Sequence, residues 1–272
     1  MSIQKHIKAR RSVRTFDGRE LKQEDLEQLK DFMDTFKNPF GIPVGYKLAN
    51  AKEKTLPCPV VVGTDLYLLG KVANIPNACV AFGYSIEAMM LKAQSLGIGT
   101  VWLGGTMDRA AFEKAADLAE KEVMPCATPL GYPADKMSLR ETMMRKGIGA
   151  DSRLPFEELF FDGSWGVPLT AEKAGNFAAA LEMVRLAPSA VNKQPWRVVA
   201  DSKGFHFYLQ RSKGFNREGR PDMQQVDMGI ALCHFSLTAK ELGQSLTFSL
   251  SDPGLCREPE TEYIASYLFN ES

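Results

Sequence analysis

The segment Ala187-Pro188-Ser189-Ala190-Val191-Asn192-Lys193-Gln194-Pro195-Trp196 is the most informative in the chain. It follows a run with helical spacing, Leu169 to Leu186, which Pro188 ends because proline lacks an N–H and its ring clashes with the preceding turn. Ser189, Asn192 and Gln194 then present hydroxyl and amide groups on a loop stiffened by two prolines, ahead of a predicted strand, Arg197 to Ala200. Such a loop can line a flat polar ligand with donors and acceptors. The same composition also reads as a plain helix-terminating turn with Trp196 packed in a core. A second dense segment lies at the other end of the chain: Arg10-Arg11-Ser12-Val13-Arg14-Thr15-Phe16. It places three guanidinium groups and a hydroxyl within five residues, and guanidinium grips phosphate oxygens bidentately. Ile3 and Ile7, spaced i, i+4, predict a short helix leading into the cluster. A solvated basic helix is the alternative reading.

Composition narrows the choice. With 272 residues the chain can bury a large core or two smaller ones. Lys+Arg and Asp+Glu both number 33, so no overall basic excess points to nucleic acid. The N-terminal arginines are a local feature suited to a small anion. Five scattered cysteines without a C-x-x-C predict a reducing, cytoplasmic setting and neither a disulfide framework nor a zinc site. His6, His206 and His234 form no ligand spacing, so no metal is expected. The Arg-rich start runs directly into an acidic helical segment without a small-residue cleavage site, unlike a transit peptide. Asn270-Glu271-Ser272 matches a glycosylation triplet, but nothing suggests secretion. The longest apolar stretch, Ala78 to Leu96, contains Glu87, Lys92 and Gln94, and reads as a buried core helix and not a membrane span.

Strand and helix signals alternate along the chain, which predicts an α+β fold. Helical spacing covers Leu21 to Met33, and residues 38–46 read as a loop. Val60-Val61-Val62 reads as a buried strand after Pro57 and Pro59. Asn77 is placed to cap the helix to Leu96, and Gly97 to stop it. Thr100 to Leu103 predicts a strand, Met107 to Val123 a helix and Cys126 to Leu130 a strand. Residues 135–153 are a Lys-, Arg- and Met-rich connector. Further on, strands are predicted at Phe205–Gln210, Leu246–Leu250 and Tyr263–Phe269, around a helix from Asp227 to Leu242 stopped by Gly243. The two parts correspond. Gly83 and Gly229 lie 146 residues apart, and at that offset Leu91–Gly97 faces Leu237–Gly243 and Trp102 faces Phe248. An internal duplication follows, with halves at 1–158 and 159–272.

The chemical motifs are partly negative. No G-x-G-x-x-G follows a strand, Gly63 to Lys71 lacks P-loop spacing, and H-E-x-x-H and G-x-S-x-G are missing. The R-R-S-x-R run at 10–14, the P-S-x-x-N-x-Q-P-W run at 188–196, Leu130-Gly131-Tyr132-Pro133 and Ser152-Arg153-Leu154-Pro155 together resemble the FMN-dependent nitroreductase family. The loop motif stands far later than is usual there, and no second R-R-S-x-R opens the second half. The chain therefore resembles the tandem-repeat branch of that superfamily, the TM nitroreductase type, in which two subunits look fused into a pseudo-dimer.

The resemblance implies a nitroreductase-like fold of two tandem halves, with antiparallel and mixed sheets and long core helices. It implies one FMN site, completed within a single chain, so that a monomer can suffice. Arg10, Arg11, Ser12 and Arg14 would hold the phosphate and ribityl chain, with Arg153 as a second phosphate partner. Leu130 and Gly131 would present backbone groups near flavin N5. Pro188, Ser189, Ala190 and Asn192 would close the other side, and Asn50 would face the pyrimidine edge. Hydride would pass from NAD(P)H through the flavin to a nitroaromatic, quinone or related small aromatic acceptor. The flavin carries that chemistry, so no catalytic side chain is required. A non-catalytic flavin carrier or sensor is the rival reading.

Overall fold

The computed structural model describes residues 2–215 and 219–270, so Glu271 and Ser272 of the Asn270 triplet lie outside the described residues. The first part of the chain runs α1 (Ile3–Ala9), α2 (Gln23–Thr35), β1 (Val44–Asn50), α3 (Ala51–Lys54), β2 (Leu66–Ala73), α4 (Ala78–Ser95), α5 (Arg109–Ala115), β3 (Glu122–Val123), β4 (Ala127–Pro129) and α6 (Leu139–Gly147). The second part runs α7 (Phe156–Leu159), β5 (Phe160–Asp162), α8 (Ala171–Ala174), α9 (Ala178–Arg185), β6 (Trp196–Ala200), β7 (Gly204–Gln210), α10 (Met223–Glu241), β8 (Leu246–Ser249) and β9 (Thr261–Phe269). The fold is α+β, with one sheet from each part of the chain. In the first, β2 pairs antiparallel with β1, β3 and β4. The second has the order β5-β6-β7-β9-β8 and is mixed, because β5 runs parallel to β6 while the other pairs are antiparallel.

Helices α4 and α10 form the centre. Residues 80–91 of α4 and 226–235 of α10 are buried without a break. A helix apolar on all sides has no solvent face to offer and must be enclosed. The enclosure is backbone to backbone. A Cβ on Gly83 would stand 2.1 Å from the Val226 carbonyl oxygen, and one on Gly229 would stand 2.0 Å from that of Val80. The contact is reciprocal at the 146-residue offset noted above, since Val80 and Val226 are separated by the same interval as the two glycines. Glycine inside a helix costs about 1 kcal/mol relative to alanine. The close approach accounts for its presence at both positions. Glycines also stop both helices as expected, Gly97 at φ 74° and Gly243 at φ 75°.

Several expectations are corrected. The loop predicted over 38–46 ends early, because Val44 already pairs with Val72 to open β1. Strand β2 was not anticipated at all. Gly70 in its middle, where a Cβ would lie 2.8 Å from Phe82 and Ile86, lets it press on α4. Val60–Val62 is no strand: Pro57 and Pro59 have no N–H to give a ladder, Val62 is 51% exposed, and its one bridge is to Thr15. Thr100–Leu103 likewise makes only single bridges, Ser12 to Thr100 and Leu103 to Ala127. The helix from Met107 shrinks to α5, after which β3 joins the first sheet. The helix from Leu169 breaks at Gly175, φ 53°, into α8, a 3-10 turn and α9. Asn77 sits at the start of α4 in a left-handed conformation and makes no side-chain cap bond. Among the described residues no helix is long and apolar enough to cross a membrane.

Replacing Gly83 or Gly229 by alanine is expected to destabilise the chain by ~1–3 kcal/mol through overpacking, despite alanine's better helix propensity. At Gly105, where an added Cβ meets nothing within 4 Å, the same change should stay within about 0.5 kcal/mol. Urea unfolding of the three variants measures the contrast, and equal effects would refute the close-packing account.

Candidate functional site

The arginine cluster leaves α1 at Arg10 and is pinned residue by residue. Arg10 turns inward, its Nε 3.3 Å from Glu87 Oε1 on α4. Glu87 is fully buried and also receives Trp102 Nε1 at 3.1 Å and lies 2.9 Å from His234 Nε2 of α10. Burial alone pushes the Glu87 carboxyl up, but Arg10, His234 and Trp102 together hold it below the usual carboxylate range. Arg11 faces the other way and donates to Glu141 of α6 at 2.9 Å. Glu141 is itself buried and accepts from the Arg14 backbone N–H at 3.2 Å and the Thr15 hydroxyl at 2.8 Å. This leaves Arg14. The residue is 9% exposed, its guanidinium is pushed down by burial with Glu141 opposing, and its Nε has no partner among the described residues.

The Pro188–Trp196 loop is strained and heavily tied. Val191 (φ 44°), Asn192 (φ 58°) and Gln194 (φ 50°) are all left-handed without being glycine. Each such residue costs about 1–3 kcal/mol and persists only where its surroundings over-determine it. Here they do. Gln194 N–H donates to Ser189 Oγ at 2.8 Å, and Gln194 Oε1 accepts from Leu154 N–H at 2.9 Å. Asn192 Nδ2 donates to the Gly149 carbonyl at 2.7 Å, while its Oδ1 accepts from Arg153 at 3.4 Å. Arg153 also donates to the carbonyls of Ala150 and Ser152. Finally, the Ala190 N–H donates to both oxygens of Asp227 on α10, at 3.0 and 3.1 Å.

Cluster and loop meet at a cavity of about 870 Å³. Ser12, Arg14, Pro188, Ser189 and Ala190 line it, so residues from opposite ends of the chain share one site. Arg10, Arg11, Arg153 and Asn192 are not in its wall; their side chains hold the wall residues in place through the bonds above. Asn50 and Leu130 border a separate cavity of about 580 Å³, and Asn50 caps α3 there by accepting from Lys52 N–H. Gly131 packs beneath Phe16, whose ring an added Cβ would meet at 2.7 Å.

The reading of the sequence passed over Asp227, Glu141 and Arg109. Arg109 braces the wall by donating to the carbonyls of Gly104 at 2.8 Å and Met124 at 2.7 Å. Asp227 is 2% exposed and lines the cavity. Burial pushes its carboxyl well up, with the Ala190 N–H opposing and Asp222 reinforcing. The sequence puts the helix start at Asp227, whereas α10 begins four residues earlier at Met223, so the carboxylate lies inside the helix and not at its end.

The family model described as "Putative TM nitroreductase" matches residues 2–239. The chain belongs to the TM nitroreductase family. A Thermotoga maritima protein described as a "putative nitroreductase" superposes with a TM-score of 0.64 at 21% identity, covering 100% of this chain and 95% of its own. A Bacteroides fragilis nitroreductase with bound FMN matches at 20% identity and a TM-score of 0.41, over 51% of this chain and 92% of its own. No curated protein matches the sequence.

The environment of Asp227 in this TM nitroreductase family member has a measurable consequence. Unfolded, Asp227 ionises in the ordinary carboxylate range; folded, it keeps its proton to higher pH. The folded state then binds more protons across that window, so stability falls as pH rises through it. Asp227→Asn removes the loss. Its stability advantage over the parent should grow as pH rises through and above the ordinary carboxylate range. Denaturation midpoints across that range test this, and a constant difference would mean that Asp227 is ionised and compensated.

Proposed function

We propose that the chain is an FMN-dependent oxidoreductase with one flavin site, built as a fused pseudo-dimer of halves 1–158 and 159–272. The observation that carries the reading is the cavity shared by Ser12, Arg14 and Pro188–Ala190. Its volume suits a cofactor of this size. The residues present fit the group: the Arg14 Nε is buried, unpartnered and in the wall, as an anion site requires, and Gly104-Gly105 leave room for close approach by a flat ring. Lys213 and Arg220 add positive charge at the rim. Ser12 and Arg14 would bind the phosphate end, and Pro188, Ser189 and Ala190 would pack along the ring. Arg10 and Arg11 would orient the cluster from Glu87 and Glu141, and Arg153 and Asn192 would hold the loop in its left-handed form. Bound FMN would accept hydride from NAD(P)H and pass it to a small nitroaromatic or quinone. The protein's part is then to bind, orient and shield.

Purified chain should bind FMN at one per chain. Arg14→Ala should lose a charge-assisted bond of ~1.5–3 kcal/mol, roughly tenfold to a hundredfold in FMN affinity, with riboflavin affinity barely changed. Anaerobic NADH or NADPH should bleach the bound flavin. Binding without bleaching by either would leave a flavin carrier, and no FMN binding would end both readings.

A further inference from the structure

Asp227 is unexplained by binding alone. Its carboxyl stands in the cavity wall, 2% exposed, one residue after Val226 at the helix crossing. Both its oxygens share a single donor, the Ala190 N–H. No lysine or arginine pairs with it among the described residues. Arg14, Arg109, Lys213 and Arg220 border the same cavity without pairing with it, and the titratable groups that act on it directly are Asp222, at the start of its own helix, and Cys126, from the segment leading into β4. Neither supplies positive charge. An ionised carboxylate has about four acceptor positions, and one N–H cannot compensate a buried charge. The neutral acid needs less: one oxygen accepts from Ala190, and the O–H is left free for the cavity that Asp227 lines.

We propose that Asp227 is the proton donor of this cavity, a neutral carboxyl whose O–H serves the acceptor during its reduction. The inference rests on the flavin reading above. A quinone that takes up hydride from the reduced cofactor gains two electrons and one proton, and is left with one oxygen anionic. The Asp227 O–H bond breaks, a bond from that proton to the anionic oxygen forms, and the hydroquinone leaves neutral. Water entering from the open side of the cavity returns a proton to the carboxylate. Burial raises the affinity of Asp227 for its proton, the direction that a proton donor needs.

The test has two arms on the purified chain. Infrared difference spectroscopy of wild type against Asp227→Asn, recorded at pH 7 with and without FMN, should show one protonated-carboxyl band lost in the variant. If that variant does not fold, 13C-aspartate in the wild-type protein should shift the same band, which assigns it to an aspartate, and Asp227 is the one buried aspartate among the described residues. In the second arm, reoxidation of the FMN-reduced protein by benzoquinone should slow by about 10²–10⁴ in Asp227→Asn, the usual contribution of a general acid. An absent carboxyl band overturns the inference whether or not FMN binds, as does reoxidation at the wild-type rate. A chain that shows the band yet binds no FMN overturns the flavin reading and upholds the neutral carboxyl.

Discussion

Where α4 and α10 cross, the two backbones touch with no side chain between them. Gly83 rests on the Val226 carbonyl and Gly229 on that of Val80. A contact this close fixes the angle and register of both helices together, since a packed interior does not deform by fractions of a helical turn without repacking. Everything functional hangs from that register. Val226 and Asp227 are consecutive, so the crossing that seats the first also sets where the second enters the cavity. On the other helix, Glu87 lies one turn beyond Gly83, at the height of His234 on α10.

The buried Glu87 adds a polar constraint to the apolar one. Its oxygens meet Arg10 from the N-terminal segment, Trp102 from the cavity wall and His234 from the opposite helix. A buried ion pair contributes little net stability compared with apolar packing, but removing one partner leaves the other charge stranded at a cost of about 3–5 kcal/mol. Such a node therefore specifies arrangement more than it strengthens it. Here it determines which way Arg10 faces, and so which members of the arginine cluster remain for the cavity. Arg11 is taken by Glu141 and Arg10 faces Glu87, its Nε and Nη1 without a hydrogen-bond partner behind the wall, while Arg14 brings an unpartnered buried Nε into the cavity wall itself.

The parts of this molecule that were legible in the sequence are those with a local cause. Gly97 and Gly243 end helices because a left-handed residue is needed there, and both are left-handed. The core helices announced themselves by continuous apolar character, and the 146-residue offset found the very glycines that touch. The illegible parts have distant causes. Strand β2 reads as nondescript until Phe82 and Ile86 are seen filling the space over Gly70. Val60–Val62 has strand-like residues but proline neighbours that give no ladder. Within the site, the arginines and the Pro188 loop could be quoted from the sequence, yet the division of labour among them could not. That division depends on Glu87, Glu141 and Asp227, three carboxylates on helices whose partners lie between 15 and 147 residues away.

The reciprocity at the crossing does not extend to the chemistry. At the 146-residue offset the counterpart of Asp227 is Ala81, and that of Trp102 is Phe248. Phe248 packs edge-on against Phe40 at 4.9 Å and tilts against Tyr267 at 5.5 Å, while Tyr84, the counterpart of cavity-lining Ile230, stacks near Phe36 at 6.1 Å. On one side of the crossing polar groups surround a cavity; on the other, rings pack against rings at the counterpart positions. Two identical subunits could not differ in this way, because symmetry would repeat every substitution at both sites. On the fused reading proposed above, each position exists once. A carboxylate can enter one site and a phenyl ring close the other, with the helix crossing held in common. The aromatic plug then stabilises the fold by burying area, which relieves the remaining site of that demand and leaves room there for a strained loop, an unpaired guanidinium and a lone carboxyl.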